Sequence, residues 1–384
     1  MNIALFYHSL VSDWNNGNAH FLRGIATELL CRGHQVGIYE PAGGWSRAQL
    51  EARHGSLPIH EFSRRYPHLE STSYSLGELD LDLILKEVDL VIVHEWNEPE
   101  LVRRIGEHRR RNPHYKLLFH DTHHCGLTNP EKINSCRLEN FDGVLVYGKA
   151  LRTIYLKRKW AAFVSVWHEA ADIRVFYPQK TRKTGDVVWI GNWGDDERTA
   201  EYLEFFIRPV RDLGLKARAY GVRYPPEAVY LLAAAGIEYC GWLPNYKVPE
   251  VYAGFKVALH IPRRPYVKRL AGIPTIRPFE ALACGIALIS SPWRDTEGLF
   301  TAGRDYLVAR DGSEMKTCLR MLLDDPAKRG RLADHGLRTI RERHTCAHRV
   351  DQLMQICREL GLPAEKDLEN QEPQQDRFKC RLPV

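Results

Sequence analysis

No stretch of the chain reaches the roughly 18 apolar residues that a membrane-spanning helix requires. The opening Met1-Asn2-Ile3-Ala4-Leu5-Phe6-Tyr7 also lacks the basic flank and apolar length of a secretory leader, so it reads as a strand. No G-x-G-x-x-G fingerprint occurs, which argues against a dinucleotide cofactor. No block of Lys and Arg interleaved with aromatics is present, so nucleic acid is not an expected partner. The nine cysteines are an odd number at irregular spacing. That excludes a complete disulfide framework and fits a reducing cytoplasm, with attachment at the inner membrane face as the other expectation.

What is present is an ordinary globular composition, 44% apolar and 27% charged, with a formal net charge of +6. That mild excess suits an anionic ligand. At 384 residues the chain is long enough for two domains of about 150–200 residues each. Asn2–His8 reads as a strand, and the helix from about Ala19 to Arg32 carries Phe21, Leu22, Ile25, Ala26 and Leu29 at a period near 3.6 before Gly33 ends it. Gln35–Glu40 is the next strand. Further strands are expected at 89–94, 116–120, 143–147 and 163–167, with helices between them.

Periodicity lapses over Ala171–Gly185, which reads as a linker, and the same alternation restarts at Asp186–Ile190. The expected organisation is therefore α/β, with two Rossmann-like doubly wound domains facing across a cleft. They span residues 1–170 and 186–360, and a polar, disordered tail occupies 361–384.

Each half opens with a strand, a glycine-containing loop and a helix. In the first the loop is Asp13-Trp14-Asn15-Asn16-Gly17-Asn18, and in the second Gly191-Asn192-Trp193-Gly194-Asp195-Asp196. Both fall where open α/β sheets bind ligands, and Gly17 and Gly191 would let backbone approach one. Arg263, Lys268 and Arg277 crowd the entry to a short helix with Pro278 in its first turn, and Glu280 sits near its positive end. A carboxylate there is placed to take ribose hydroxyls while the cations and neighbouring N–H groups take phosphate.

After the strand at 116–120, His120, Asp121 and His123 offer a proton acceptor with a carboxylate to orient it. Their spacing with His124 and Cys125 matches no standard zinc module, so no metal is expected. Asp80-Leu81-Asp82 reads as the alternation of a solvated strand edge. His168 and Glu169 lie at the hinge, where they could meet a bound ligand.

The run Phe279-Glu280-Ala281-Leu282-Ala283-Cys284-Gly285 resembles the donor-binding segment of glycosyltransferases with two Rossmann domains, the GT-B architecture. The opening of the chain through Glu40 resembles their acceptor-side domain. Arg277-Pro278-Phe279-Glu280 is similar to the R-x-F-E phrase of the CgeB-like subgroup. The likeness implies a metal-independent transferase with no cofactor, a nucleotide-diphosphate sugar as co-substrate, and a carbohydrate, lipid-linked or other hydroxyl acceptor. By residue, it implies donor contacts from Gly191, Asn192, Arg263, Lys268, Arg277 and Glu280, and an acceptor-side loop at Gly17 and Asn18. Many relatives carry a second acid eight positions before the ribose Glu, and here that position is Gly272. A sugar-nucleotide epimerase of the same architecture, or a catalytically silent sugar-nucleotide-binding subunit, are the alternative readings.

Overall fold

The computed structural model describes residues 1–194 and 196–362. It divides into two compact units, one of Met1–His168 joined by residues 346–362, the other of Glu169–Thr345.

The first unit is built on seven parallel strands: β1 (Asn2–Phe6), β2 (Gln35–Pro41), β3 (Thr72–Tyr74), β4 (Leu90–His94), β5 (Lys116–Asp121), β6 (Gly143–Val146) and β7 (Val164–Val166). Their order across the sheet is β3-β2-β1-β4-β5-β6-β7. β1 pairs on one side with β2, Asn2 opposite Gln35, and on the other with β4, Ile3 opposite Leu90. The second unit repeats the plan with β8 (Gly185–Ile190), β9 (Ala217–Tyr220), β10 (Ile237–Tyr239), β11 (Phe255–His260), β12 (Ala287–Ser290) and β13 (Leu307–Val308), ordered β10-β9-β8-β11-β12-β13.

Each sheet reverses its strand order once, at β1/β4 and at β8/β11, and successive loops there leave in opposite directions and open a crevice at the carboxyl ends. The central strands are apolar on both faces because helices cover both. Leu5, Val91, Ile92 and Leu118 are buried in the first unit, and Val187, Val257, Leu259 and Ile289 in the second. The three short strands β3, β10 and β13 lacked a readable apolar run and were not anticipated.

The domain boundaries differ from those read in the sequence. The chain passes between units twice, at His168/Glu169 and at Thr345/Cys346. Ala171–Gly185, read as a linker, is folded into the second unit: the Ala171 N–H donates to the His344 carbonyl at 3.0 Å, and Lys183 Nζ donates to the carbonyls of Ala253 and Phe255 at 2.9 and 2.7 Å. Helix Cys346–Glu359, expected to close the second domain, belongs to the first, where it packs on helix Asn18–Cys31. Amphipathic spacing reveals that a helix has a face to bury but not which core receives it. Of the tail expected over 361–384, residues from 363 on lie outside the described residues.

Local departures have local causes. Asp80-Leu81-Asp82 is not a strand edge. Asp80 caps the short helix Leu81–Ile84, accepting the Leu83 N–H at 3.0 Å. The helix expected over 199–213 contains a π turn at Leu203–Ile207. Pro209, just beyond, has no N–H to return to the Phe205 carbonyl, so the α-helical ladder is interrupted at that point.

Three histidines are built into the sheets. His94 ends β4, His120 is the last residue but one of β5, and His260 ends β11, all essentially inaccessible. Burial pushes His120 and His260 down to about 3, and burial, then neighbouring histidines and Lys132, hold His94 well below its ordinary value. The folded protein keeps these rings neutral, while the unfolded chain protonates them below about 6.5. Their contribution to stability is thus complete above that pH and lost as pH falls from 6.5 toward 3. Buried Asp121, pushed up to about 6 by desolvation, acts in the opposite sense, its contribution falling as pH rises from 3.8 through 6.

Urea unfolding followed against pH should therefore show His120→Gln losing less stability than the wild type between pH 6.5 and 4; an unchanged slope would contradict a buried neutral ring. Leu353, fully buried on the returning helix, should cost about 2–5 kcal/mol when changed to Ala. The loss should appear as a lowered unfolding midpoint of the first unit.

Candidate active site

The reversal of strand order in the second unit is occupied by an arginine. Arg198 lies between the Gly191 loop after β8 and the start of the next helix, and it is 8% exposed. Its Nη1 donates to the Ile261 carbonyl just beyond β11 at 2.9 Å, and its Nη2 to the Asn192 carbonyl just beyond β8 at 2.6 Å. The guanidinium also lies over the rings of Trp189 and Tyr202, at 5.1 and 5.6 Å. Burial lowers its pKa, and the positive charges of Arg263 and Arg277 add to the effect. Among the described residues no carboxylate is paired with it. A buried cation held only by carbonyls and aromatic faces leaves an uncompensated positive potential at the crevice.

The loop it holds is packed tightly. Gly191 accepts at its carbonyl from Trp189 Nε1 (3.1 Å) and the Tyr224 hydroxyl (2.9 Å). Gly221, at the end of β9, has φ +147°, and a Cβ there would lie 2.1 Å from the Gly191 oxygen. Only glycine lets the two loops approach this closely. The Val222 N–H donates to Asn192 Oδ1 at 3.2 Å, which ties the second half of the contact.

The other second-unit residues expected at the site are dispersed around this point. Helix Ile276–Ala283 begins after Thr275 with Pro278 in its first turn, so Glu280 falls in its second turn rather than at its positive end. Pro278 is tolerated at the third position because an N–H there has no intrahelical partner to lose. The Glu280 carboxylate is fully buried, accepting from Asn245 Nδ2 at 3.1 Å and from Arg277 Nη1. Arg263 pairs with Glu197 at 2.8 Å, and Lys268 is exposed.

In the first unit the structure brings the two expected clusters together. Asn18 Nδ2, next to Gly17, donates to Thr122 Oγ1 at 3.2 Å, and the same hydroxyl meets His94 Nε2 at 3.0 Å. Gly17 itself has an ordinary right-handed conformation, φ −65°, so no special backbone freedom is used there.

His120 turns inward. Its Nδ1 meets the Tyr7 hydroxyl at 2.8 Å, and its ring packs on Trp167 and His94 with centroids 4.8 and 5.4 Å away. A fully buried, neutral imidazole is not presented to an acceptor from solvent. His123 is half-buried, and its main-chain N–H is fixed by Asp121 Oδ1 at 2.9 Å, while Asp121 Oδ2 accepts the Tyr155 hydroxyl at 2.7 Å. Asp121 therefore orients the His123 backbone, not its imidazole. At the hinge, the His168 ring meets the Tyr147 carbonyl at 3.0 Å and the His168 carbonyl accepts from Arg349 Nε at 2.8 Å, while Glu169 is buried.

Sequence reasoning missed Arg198, Glu95 and Lys132. Glu95 follows β4 directly, is fully buried, and faces Lys132 Nζ at 3.6 Å. Burial, then Asp121, hold its carboxyl well above the usual range. The run Val91-Ile92-Val93-His94-Glu95 offered a signal, a charged residue at the carboxyl end of a buried strand. Arg198 offered none beyond following the Gly191 loop.

No group of three or more His, Cys, Asp or Glu side chains able to hold a metal ion is present among the described residues. Nor, among them, is any helix long and apolar enough to cross a membrane.

Comparison with known proteins accords with this layout. Residues 198–355 match the family described as glycosyl transferase-like. No curated protein sequence matches the chain. Among solved structures, HepE of Anabaena in complex with UDP-glucose is similar with a TM-score of 0.65 at 13% identity, over 94% of this chain and 100% of that one. Sucrose-phosphate synthase from Thermosynechococcus elongatus gives 0.64 at 15% identity, over 94% and 99%. BGT of T4 phage in complex with its UDP-glucose substrate gives 0.60 at 14%, over 94% and 100%. At such identities the likeness establishes the fold, two Rossmann-like, parallel-sheet units of GT-B type, and the stretch 198–355 of the second unit is similar to the glycosyl transferase-like family.

Proposed function

We propose that the second unit binds a UDP-sugar and that the sugar passes to a hydroxyl acceptor served by the first unit, without a divalent metal. The observation that carries this reading is the buried Arg198 charge at the β8/β11 reversal, reinforced by Arg263 and Arg277. Glycosyl transfer breaks the bond between the anomeric carbon and the diphosphate, and negative charge develops on the departing oxygen. Fixed cations at a helix-lined crevice stabilise that charge without reorganising.

UDP is the nucleotide in the HepE and BGT complexes, which supports it as the donor base here. Gly191 and Asn192 approach the donor through main chain, Arg263, Lys268 and Arg277 face the diphosphate, and Glu280 takes the ribose hydroxyls, exchanging part of its pairing with Arg277. The Arg277-Pro278-Phe279-Glu280 phrase supports placing the chain in the CgeB-like subgroup.

On the acceptor side, the hydroxyl oxygen forms the new bond to the anomeric carbon as UDP leaves, and its proton passes to His123. Asp121 and Tyr155 hold that segment, the loop at Gly17 and Asn18 borders it through Thr122, and His120 positions Tyr7 from within. His168 and Glu169 mark the passage between units. The fold does not choose the acceptor, since its solved neighbours include a sucrose-phosphate synthase and a DNA-modifying enzyme. The dispersed charge favours a carbohydrate or lipid-linked hydroxyl over nucleic acid.

Three outcomes test this. Calorimetry with UDP should show Glu280→Ala and Arg277→Ala each weakening binding by about 1–3 kcal/mol, the scale of a lost charge-assisted hydrogen bond; unchanged affinity in folded variants would remove the donor assignment. His123→Ala should lower turnover at least tenfold while UDP affinity stays within twofold. Activity should persist after exhaustive chelation, and abolition reversed by manganese or magnesium would refute the metal-independent mechanism.

A further inference from the structure

Residues 143–168 carry Lys149, Arg152, Lys157, Arg158 and Lys159 and no acid, in a chain whose whole formal excess is +6. The fold keeps that stretch apart from acids. Helix Lys149–Lys157 follows β6 and lies toward the edge of the first unit's sheet, where β7 is the last strand. Helix Cys125–Thr128, β6 and β7 pack against it, and none of the three contains an acid.

Exposure divides the helix into two faces. Leu151 and Tyr155 are buried, whereas Lys149, Arg152, Thr153 and Leu156 are exposed at the i, i+3, i+4, i+7 spacing of a single face. Arg152 is steered along that face by its Nε, which donates to the Val164 carbonyl of β7 at 2.9 Å. Leu156 is 37% exposed beside these cations.

Lys159, at φ +56°, ends the helix. Its N–H donates to the Leu156 carbonyl and the Trp160 N–H to the Tyr155 carbonyl, both at 3.1 Å. The turn leaves Lys157, Arg158 and Lys159 exposed together, and among the described residues none of the three is paired with a carboxylate. Consecutive like charges repel, a cost that an anionic surface turns into attraction. Trp160, half-buried, lies under the Arg158 guanidinium at 5.4 Å and against Tyr155 at 5.1 Å, while its Nε1 donates to Asn134 Oδ1. Glu131, on the neighbouring helix Pro130–Ser135, accepts from Asn134 Nδ2 at 3.4 Å.

We infer that helix Lys149–Lys157 and the turn after it dock the first unit onto an anionic lipid surface. Arg152 and Lys157–Lys159 meet the headgroup phosphates, and Leu156 enters the boundary with the acyl chains. A lipid surface fits better than a nucleic acid because the exposed face is convex and carries an aliphatic side chain. The one aromatic ring beside it is already engaged by Arg158 and Tyr155 rather than offered to a base. The helix begins three residues beyond the carboxyl end of β6, so the docked face reaches the end of the sheet where the acceptor is proposed to bind. Choosing a lipid-linked hydroxyl among the acceptors rests on that proposal; the docking itself does not.

The test is co-sedimentation of the full chain with vesicles of phosphatidylcholine alone and with phosphatidylglycerol added, at low and high salt. A single-stranded oligonucleotide serves as the competing polyanion, and calorimetry with UDP runs in parallel. The wild type should sediment with the phosphatidylglycerol vesicles, not with the neutral ones, and high salt should release it. Lys157→Gln, Arg158→Gln and Lys159→Gln combined should weaken that binding roughly a hundredfold, the scale of three cations at a lipid surface. Leu156→Gln should weaken vesicle binding and leave oligonucleotide binding unchanged. The substituted positions are exposed, so both variants should unfold at the wild-type temperature and bind UDP as the wild type does. A wild type that ignores the phosphatidylglycerol vesicles, or a triple variant that binds them equally well, overturns the inference. So does tighter binding of the oligonucleotide than of the vesicles, or full vesicle affinity in Leu156→Gln, either of which would make the patch a general polyanion site. Vesicle binding by a chain that binds no UDP overturns the donor reading and leaves the docking standing, whereas UDP binding without vesicle binding overturns the docking alone.

Discussion

The second unit depends on a guanidinium enclosed by carbonyl oxygens. Arg198 joins the chain leaving β8 to the chain leaving β11 at the one place in the sheet where neighbouring strands are not joined through a consecutive connection. Desolvating a cation is expensive, and carbonyl dipoles with aromatic faces repay only part of that cost without neutralising the charge. The crevice is therefore held open and electropositive by the same group. The glycines around it follow from that arrangement: with two loops drawn against one side chain, Gly191 and Gly221 meet backbone to backbone, where a methyl group would have no room.

The first unit solves the corresponding place differently. There the buried Arg23 also holds the loop leaving β1 through the Leu10 and Val11 carbonyls, but it is paired with Asp13 at 2.9 Å, and beside it lies a layer of aromatic and imidazole rings, with Tyr7 stacked on His94 at 4.8 Å and bonded to His120. Behind them Glu95 and Asp121 are buried side by side at the ends of adjacent strands, with Lys132 as the nearest cation. One reversal thus carries a buried cation with no carboxylate partner among the described residues, and the other neutral rings and protonatable acids.

Much of the fold was legible because its signals are local. The long apolar runs at Leu90–His94, Lys116–Asp121 and Ala287–Ser290, and the 3.6-residue spacing of helix Asn18–Cys31, identify elements whose burial is decided within a few residues. The three-residue β3 and β10 and two-residue β13 are edge strands, and their existence depends on a neighbour supplying hydrogen bonds. The return of Cys346–Glu359 to the first unit was invisible for a similar reason, since two cores compete for one amphipathic face.

The candidate site divides along the same line. Residue type and position near a strand end or helix start single out Gly191, Arg277, Glu280 and the His120–His123 segment as candidates, because that is where an open α/β sheet exposes polar groups. Only the tertiary structure decided which of them turn inward. His120 became a buried neutral ring, Glu280 a carboxylate already engaged by Arg277 and Asn245, and Arg198, a residue with no sequence signature, the central charge. The physical reason is that a side chain's direction and its partners are fixed by packing between segments distant in sequence, which no local periodicity records.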